Sequence, residues 1–310
     1  MSDFFEKTDK NLPGDFNRKP EVPEFIIEND DDARTSVETD APKKNRKKWL
    51  RRILKALAMT LMVIVVFFAY MAWDYYFNIG VPVSTSPSEN IKKLQVEPVK
   101  KTAEVVLSSD SILGVALDFY AIHGLRASIE FQEPDTTDTS VFLYCRSADH
   151  QADGQYLGSL VVDGKELQSD RSRLGYMGMV GNQMVIGISR SDKVKEYCME
   201  NKGSFFRQFI LVSNGVIPHR FFLHGKVERR AIGRKDDTLF YIATRNKETL
   251  WDFADALREY GFIDAIYITG GDDYGYYRTA DGYRHDIGNI TDYPHKKWKG
   301  IIPWLVFRCI

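Results

Sequence analysis

Residues 265–278, AIYITGGDDYGYYR, gather two carboxylates, a glycine pair, four phenols and a guanidinium into one short stretch. Asp272 and Asp273 follow Gly270-Gly271 directly. A carboxylate pair at the end of a strand could act in acid–base work at a glycosidic bond. The same pair also reads as turn chemistry, with one aspartate capping the turn and the other solvated. Gly270 and Gly271 would let backbone amides approach a ligand, or would form the turn of a hairpin. Tyr274, Tyr276, Tyr277 and Tyr283 offer ring faces to a stacked sugar. The period-two spacing of Tyr274 and Tyr276 equally fits a hairpin with its aromatic face on the core.

Other candidates are scattered. Asp149-His150, within RSADHQADGQYLGS, forms a second polar loop ending a buried run. Arg207, Arg229, Arg230 and Arg278 could hold a phosphate or carboxylate, because a planar guanidinium does so bidentately. Most arginines, however, cover sheet edges. Several chemistries are excluded by spacing. GGDDYG lacks the G-x-G-x-x-G pattern and opens no helix, there is no Walker sequence and no H-E-x-x-H, and no serine sits in a G-x-S-x-G elbow. The six histidines, His285 and His295 among them, form no metal pair, and no cofactor is specified. Cys145, Cys198 and Cys309 match no metal spacing and are expected in the core, with a Cys145–Cys198 disulfide as the alternative.

These groups need a framework. RASIEFQ and SVFLYC read as strands. SLVVDGKEL reads as a hairpin turning at Asp163-Gly164, RLGYMGMVGNQMVIGIS as one turning at Gly181-Asn182, and SFFRQFILVSNGVI as a third turning at Asn214-Gly215. SRSDKVKEYCMEN reads as a helix capped by Ser191 or Asp192. NKETLWDFADALREYG reads as a stronger one, capped by Asn246, stopped by Gly261, and presenting Leu250, Phe253, Ala254 and Leu257 on one face. That helix lies between strands 238–243 and 264–269, which predicts a crossover joining parallel strands and sets Gly270-Gly271 at a carboxyl strand end. The fold class expected is α+β: a mixed, mostly antiparallel, sheet-rich domain with a few helices, preceded by a single transmembrane helix.

The N-terminal part is of a different kind. Residues 1–42 are acidic and poor in aromatics, as in a disordered tail. Residues 43–55, KKNRKKWLRRILK, form a basic block, and 56–73 are apolar apart from Thr60. As a helix this run reaches roughly 27 Å, close to the hydrocarbon thickness. Trp49 on one side and Tyr70, Trp73, Tyr75 and Tyr76 on the other suit the two interfaces. The positive-inside rule keeps the N-terminus cytoplasmic and exports the chain beyond the span. Residues 77–102 read as a stalk, and 103–310 as one domain. The formal net charge of −1 averages over two compartments. The basic block is a topology signal, with the lipid bilayer as its partner through residues 56–73, and it calls for no nucleic acid.

The order of the pieces resembles the phosphodiester glycosidase family. DGQYLGSLVVDGKEL looks like its early loop and hairpin, and RQFILVSNGVI like its L-V-x-[DN]-G hairpin. ERRAIGRKDDTLFYIATRN looks like its R-x-A-I-G segment, with Arg229 at the family arginine. TLWDFADALREYGFIDAIYITGG matches the helix and the strand that ends in Asp-Gly-Gly, and KKWKGIIPWLVFR resembles the last strand. Two places depart from the family. RSADHQADG stands where the family has an Asn-Gly-Gly-Phe-Phe type loop, and Thr269 stands where it has the aspartate before the glycines.

The resemblance implies a membrane-anchored, exported domain that hydrolyses a sugar phosphodiester or related envelope glycan, in the periplasm of a cell with an inner membrane. Asp149, Asp272 or Asp273 would move the proton, Arg207 or Arg229 would hold the phosphate, and Gly270 and Gly271 would admit the substrate. The alternative is a non-catalytic glycan-binding or scaffold module that keeps the fold without the site.

Overall fold

The computed structural model describes residues 43–77, 81–82, 85–96, 102–147, 155–218, 221, 224–271, 273–288 and 302–309. The expected tail over 1–42, and Asp149, His150, Asp272 and His295, lie outside the described residues.

The basic block and the apolar run form one continuous helix, α1 (Lys43–Phe77). Its section Arg46–Asp74 is long and apolar enough to cross a membrane, and its apolar side chains are exposed. Within it the Thr60 hydroxyl donates to the Ala56 carbonyl at 3.0 Å, so the one polar side chain of the run is satisfied inside the helix.

The remaining elements come in chain order. α2 (Pro87–Gln95) precedes β1 (Glu104–Ile112), β2 (Val115–His123), β3 (Leu125–Glu130) and β4 (Val141–Arg146). Then come β5 (Leu160–Val162), β6 (Lys165–Gln168), β7 (Gly175–Val180), β8 (Gln183–Ile188), α3 (Lys193–Glu200), β9 (Ser204–Gln208) and β10 (Ile210–Val212). The rest are β11 (Arg229–Lys235), β12 (Thr238–Thr244), α4 (Leu250–Tyr260), β13 (Asp264–Gly270), β14 (Tyr274–Arg278), β15 (Arg284–Gly288) and β16 (Trp304–Cys309).

The strands form three sheets, in the orders β1-β2-β12-β11-β13-β10, β15-β14-β4-β16-β3 and β6-β5-β9-β7-β8. The expected sheet-rich domain with few helices is therefore present. One detail differs. β12 and β13, the strands flanking α4, run in the same direction, but β11 lies between them, antiparallel to both. The crossover steps over a strand instead of joining neighbours.

Local turn chemistry accounts for two hairpins. Asp163 and Gly164 take φ of 48° and 77° between β5 and β6, and Gly181 takes 55° between β7 and β8. The third expected hairpin divides. Asn214-Gly215 does turn, with φ of 49° and 73°, but only a Ser213–Val216 bridge closes it. SFFRQ and ILV belong to different sheets, the chain passing from one to the other at Phe209.

The largest core cluster collects inward residues of all three sheets, among them Val105, Tyr120, Leu143, Met177, Phe206, Ile232, Tyr241, Ile266 and Leu305. A second lies under α4, where Leu250, Phe253, Ala254 and Leu257 meet Phe119, Ala231 and Ile242. Each large side chain buried there contributes about 1.5–3 kcal/mol. Gly261 ends α4 with φ of 97°, as expected. The N-cap is Thr249, not Asn246: its hydroxyl oxygen accepts from the Asp252 amide at 3.0 Å. The two-way backbone pairing of Glu248 with Val227 holds the chain before Thr249 extended, which moves the helix start past Asn246.

The expected stalk carries structure of its own. Ser86 and Pro87 start α2, Leu94 packs with Val161, Tyr176 and Val185, and Asn90 donates to the Tyr176 hydroxyl at 2.8 Å. Cys145 and Cys198 are buried free thiols in separate clusters. Cys309, expected in the core, is exposed. Burial pushes the Cys198 thiol up to about 12.

Candidate functional site

The regular alternation of β11 sends neighbouring arginines to opposite faces. Ile232, and with it Arg230, faces the central core, whereas Ala231, and with it Arg229, faces α4. On β13 the register shifts between the partners of Arg230 and Ala231, so Thr269 stands opposite Arg230 and Gly270 opposite Arg229. The shift brings the carboxyl end of β13 and the start of β14 over the Arg230 side chain.

Arg230 is only 3% exposed. One terminal nitrogen donates to the Gly271 carbonyl at 2.7 Å, and the other to the Glu228 carboxylate at 2.9 Å. Burial alone would lower its pKa, but Tyr241, Asp273 and Glu228 around it outweigh that and raise it, so the guanidinium stays charged. Asp273 is buried as well, with one carboxylate oxygen accepting from the Tyr274 amide at 2.8 Å. Both Asp273 and Arg230 act on the buried Cys145 thiol, whose pKa burial drives far up. The Thr269 hydroxyl is buried and has no hydrogen-bond partner among the described residues. Gly288, with φ of 78°, packs so closely that a Cβ there would meet the Asp273 carbonyl at 2.1 Å.

Aromatic rings lead away from this cluster. Tyr241 lies 5.4 Å from Tyr120 and Tyr120 lies 5.0 Å from Tyr277, centroid to centroid, and His285 stacks on Tyr277 at 5.0 Å. Burial, then the nearby Asp118 carboxylate, raises the Tyr120 pKa, and burial does the same for Tyr241. Both phenols therefore remain protonated hydrogen-bond donors at neutral pH. A guanidinium, two carboxylates and neutral phenols at one strand end can hold an oxyanion and exchange a proton.

The expected residues divide. Asp273 joins the cluster, while Asp149 and Asp272 lie outside the described residues. Gly271 turns the chain with φ of 80° and donates its amide to the Glu228 carbonyl at 2.9 Å, which occupies the amide proposed for a ligand. Gly270 avoids a clash, since a Cβ there would sit 2.2 Å from the Tyr267 hydroxyl. Arg229 is held on the α4 face by the carbonyls of Glu248 and Gly225, at 3.0 and 2.7 Å, and by the Tyr267 hydroxyl at 3.3 Å. Arg207 lies on β9, in another sheet, bonded to the carbonyls of Ser189 and Ser191 at 2.7 and 2.9 Å and paired with Asp192 at 3.1 Å. None of these partners belongs to the Arg230 cluster. Arg278 holds the carbonyls of Val141, Gly282 and Thr136. Tyr274, Tyr276 and Tyr277 are buried in the β14–β15 hairpin, which is the packing alternative, and Tyr283 alone of the four is exposed.

Glu228, Tyr120 and Tyr241 escaped the sequence reading, and Arg230 was not separated from the other arginines. The available signal was parity: the AI that comes after Arg230 in RRAIG fixes which of the two arginines turns inward once one face is known to be core.

No family model matches the chain, and no curated protein matches it. Among solved structures the chain is similar to the auto-inhibited catalytic domain of zebrafish N-acetylglucosamine-1-phosphodiester alpha-N-acetylglucosaminidase. The identity is 16%, over 70% of this chain and 85% of that one, with a TM-score of 0.46. It is also similar to a hypothetical protein from Synechocystis, at 10% identity over 66% of this chain and 62% of that one, with a TM-score of 0.49. Activity resides in sites and not in folds, so none is drawn from either.

Proposed function

We propose that this is a single-pass membrane protein, N-terminus cytoplasmic, whose exported domain hydrolyses a sugar phosphodiester or a related envelope glycan beside Arg230. The observation that carries this reading is the convergence of Arg230, Glu228 and Asp273 at the carboxyl end of β13. It is the loop where the sequence resemblance expects the chemistry. α1, with its basic N-terminal flank, supports the anchor and its orientation.

In this reading a substrate phosphate takes the place of Glu228 on Arg230, which carries the leaving group's charge. The carboxylate so released, or Asp273, accepts a proton from water as the water adds to the sugar carbon. The bond from that carbon to the phosphate oxygen breaks toward the phosphate.

The test is release of sugar by the full chain in detergent, offered a panel of sugar phosphodiesters. Wild type turns over at least one of them, and Arg230→Lys loses about a hundredfold or more. A wild-type protein inactive on the whole panel sinks the hydrolase reading.

A second reading, the non-catalytic glycan-binding or scaffold module, is favoured by two observations. The Gly271 amide is already bonded to Glu228, and Thr269 occupies the position of the resembled family's aspartate. Binding of a glycan without turnover, measured by calorimetry, would select it.

A further inference from the structure

β1 forms one edge of the six-stranded sheet, and among the described residues it pairs with β2 alone. Nine consecutive register pairs link the two strands with no shift. The opposite edge, β10, is three residues long. Edge strands are ordinarily blunted by Lys, Pro, a bulge or brevity. β1, EVVLSSDSI, is nine residues long with no lysine, proline or bulge, and its two charges, Glu104 and Asp110, lie on either side of the apolar run Val105–Leu107. It is exposed on both faces: Val106 is 47% exposed and Leu107, pointing the other way, 40%. At the β1–β2 tip Leu113 adopts φ of 52°, where a non-glycine residue costs about 1 kcal/mol, and its side chain is 61% exposed.

We propose that β1 pairs antiparallel with β1 of a second copy of this chain, across a two-fold axis at Val106, joining two six-stranded sheets into one. Charge and apolar pattern select this register. With Val106 opposite its own copy, Val105 faces Leu107, Glu104 faces Ser108 and Asp110 faces Thr102. The apolar residues meet, and each acid faces a hydroxyl. An axis at Leu107 would set Glu104 against Asp110, and one at Asp110 would set that carboxylate against itself. An axis at Ser108 avoids the clash but places Val106 against Asp110 and Leu107 against Ser109. The strand thus carries its own complement, which is why a second copy is the occupant and not an unrelated extended peptide. The surface lies outside the Arg230 cluster, so the pairing stands or falls apart from the proposed hydrolysis.

The experiment uses the full chain in detergent, with Cys309→Ser to remove the exposed thiol. Light scattering should give a protein mass per particle twice the 35.7 kDa of one chain. Val106→Lys, which adds an edge lysine at a half-exposed position, should halve that mass without unfolding the protein by circular dichroism. Val106→Cys should crosslink to its own copy under mild oxidation, while Val216→Cys, at an exposed turn, should not. A monomeric wild type, a dimer that survives Val106→Lys, or crosslinking at Val106 no greater than at Val216 would each overturn the proposal. So would a β1 that binds another protein's peptide while the chain itself stays monomeric.

Discussion

Arg207 and Arg230 are both buried guanidiniums on interior strands, and their surroundings differ in kind. Arg207 ends on backbone carbonyls and one carboxylate, Asp192, which also pairs with Arg171 and Lys195. Carbonyls cannot leave, so this arginine is locked, and it ties β9 to the segment that starts α3. Arg230 ends on one carbonyl and on Glu228, a carboxylate whose side chain is 37% exposed, with Asp273 nearby at the beginning of β14. Glu228 can swing away and a ligand can take its place. A buried arginine is therefore informative about function through the partners it could exchange, more than through its burial.

The sharpest way to break this contrast is Asp192→Asn. It leaves Arg207 as a buried charge without its counter-ion and should cost about 3–5 kcal/mol, read as a lower midpoint in urea unfolding. The same variant carries a pH signature. Burial pushes the Asp192 pKa up, but hydrogen bonds from Arg171 and Arg207 and the charge of Lys195 hold it below the ordinary carboxylate value. A depressed carboxylate pKa gives stability that is present above the unfolded-state value and lost as pH falls through the folded one. Wild type should accordingly lose stability on acidification into that range, and Asp192→Asn should lose less over the same interval. If both denature in parallel, Asp192 is not the rivet described here.

Arg230→Lys tests the other half. It keeps the charge but not the fork, and should lower turnover about a hundredfold while costing less stability than Asp192→Asn. A large stability loss with unchanged turnover would make Arg230 another locked arginine. Thr269→Val removes a buried hydroxyl that has no partner among the described residues and should raise stability by about 1 kcal/mol, measured by thermal melting. A loss instead would mean that the hydroxyl is satisfied. The smallest effect is expected from Tyr283→Ala. This ring is 69% exposed, so stability should move by less than about 0.5 kcal/mol and turnover should be unchanged. A drop in turnover would return the sugar-stacking role to Tyr283.

What the sequence disclosed about this molecule was mostly local. Asp163-Gly164 specified its turn because two positive φ angles are cheap only for such residues, and Leu250, Phe253, Ala254 and Leu257 marked the buried face of α4 through helical spacing. What it withheld depends on distant neighbours. Nothing near β12 or β13 announces that β11 lies between them, and Asn246 is a sound cap until a bridge to Val227 keeps its surroundings extended. The site suffered in the same way. GGDDYG drew attention to the strand end over Arg230, yet that arginine comes from β11 and is set there by strand parity. Arg229, the position matched by the resemblance, points away from the cluster.

β16 lies between β4 and the edge strand β3 of its sheet, pairing Cys309 with Leu125. The consequence concerns timing. β3 and β4 leave the ribosome early but cannot complete their hydrogen bonding until β16 has been made. Their unpaired edges stay open throughout that interval, and closing so long a loop is slow. A chain interrupted shortly before Trp304 would thus hold every residue of the Arg230 cluster and still lack the strand that joins β3 to the sheet carrying Cys145 and β14.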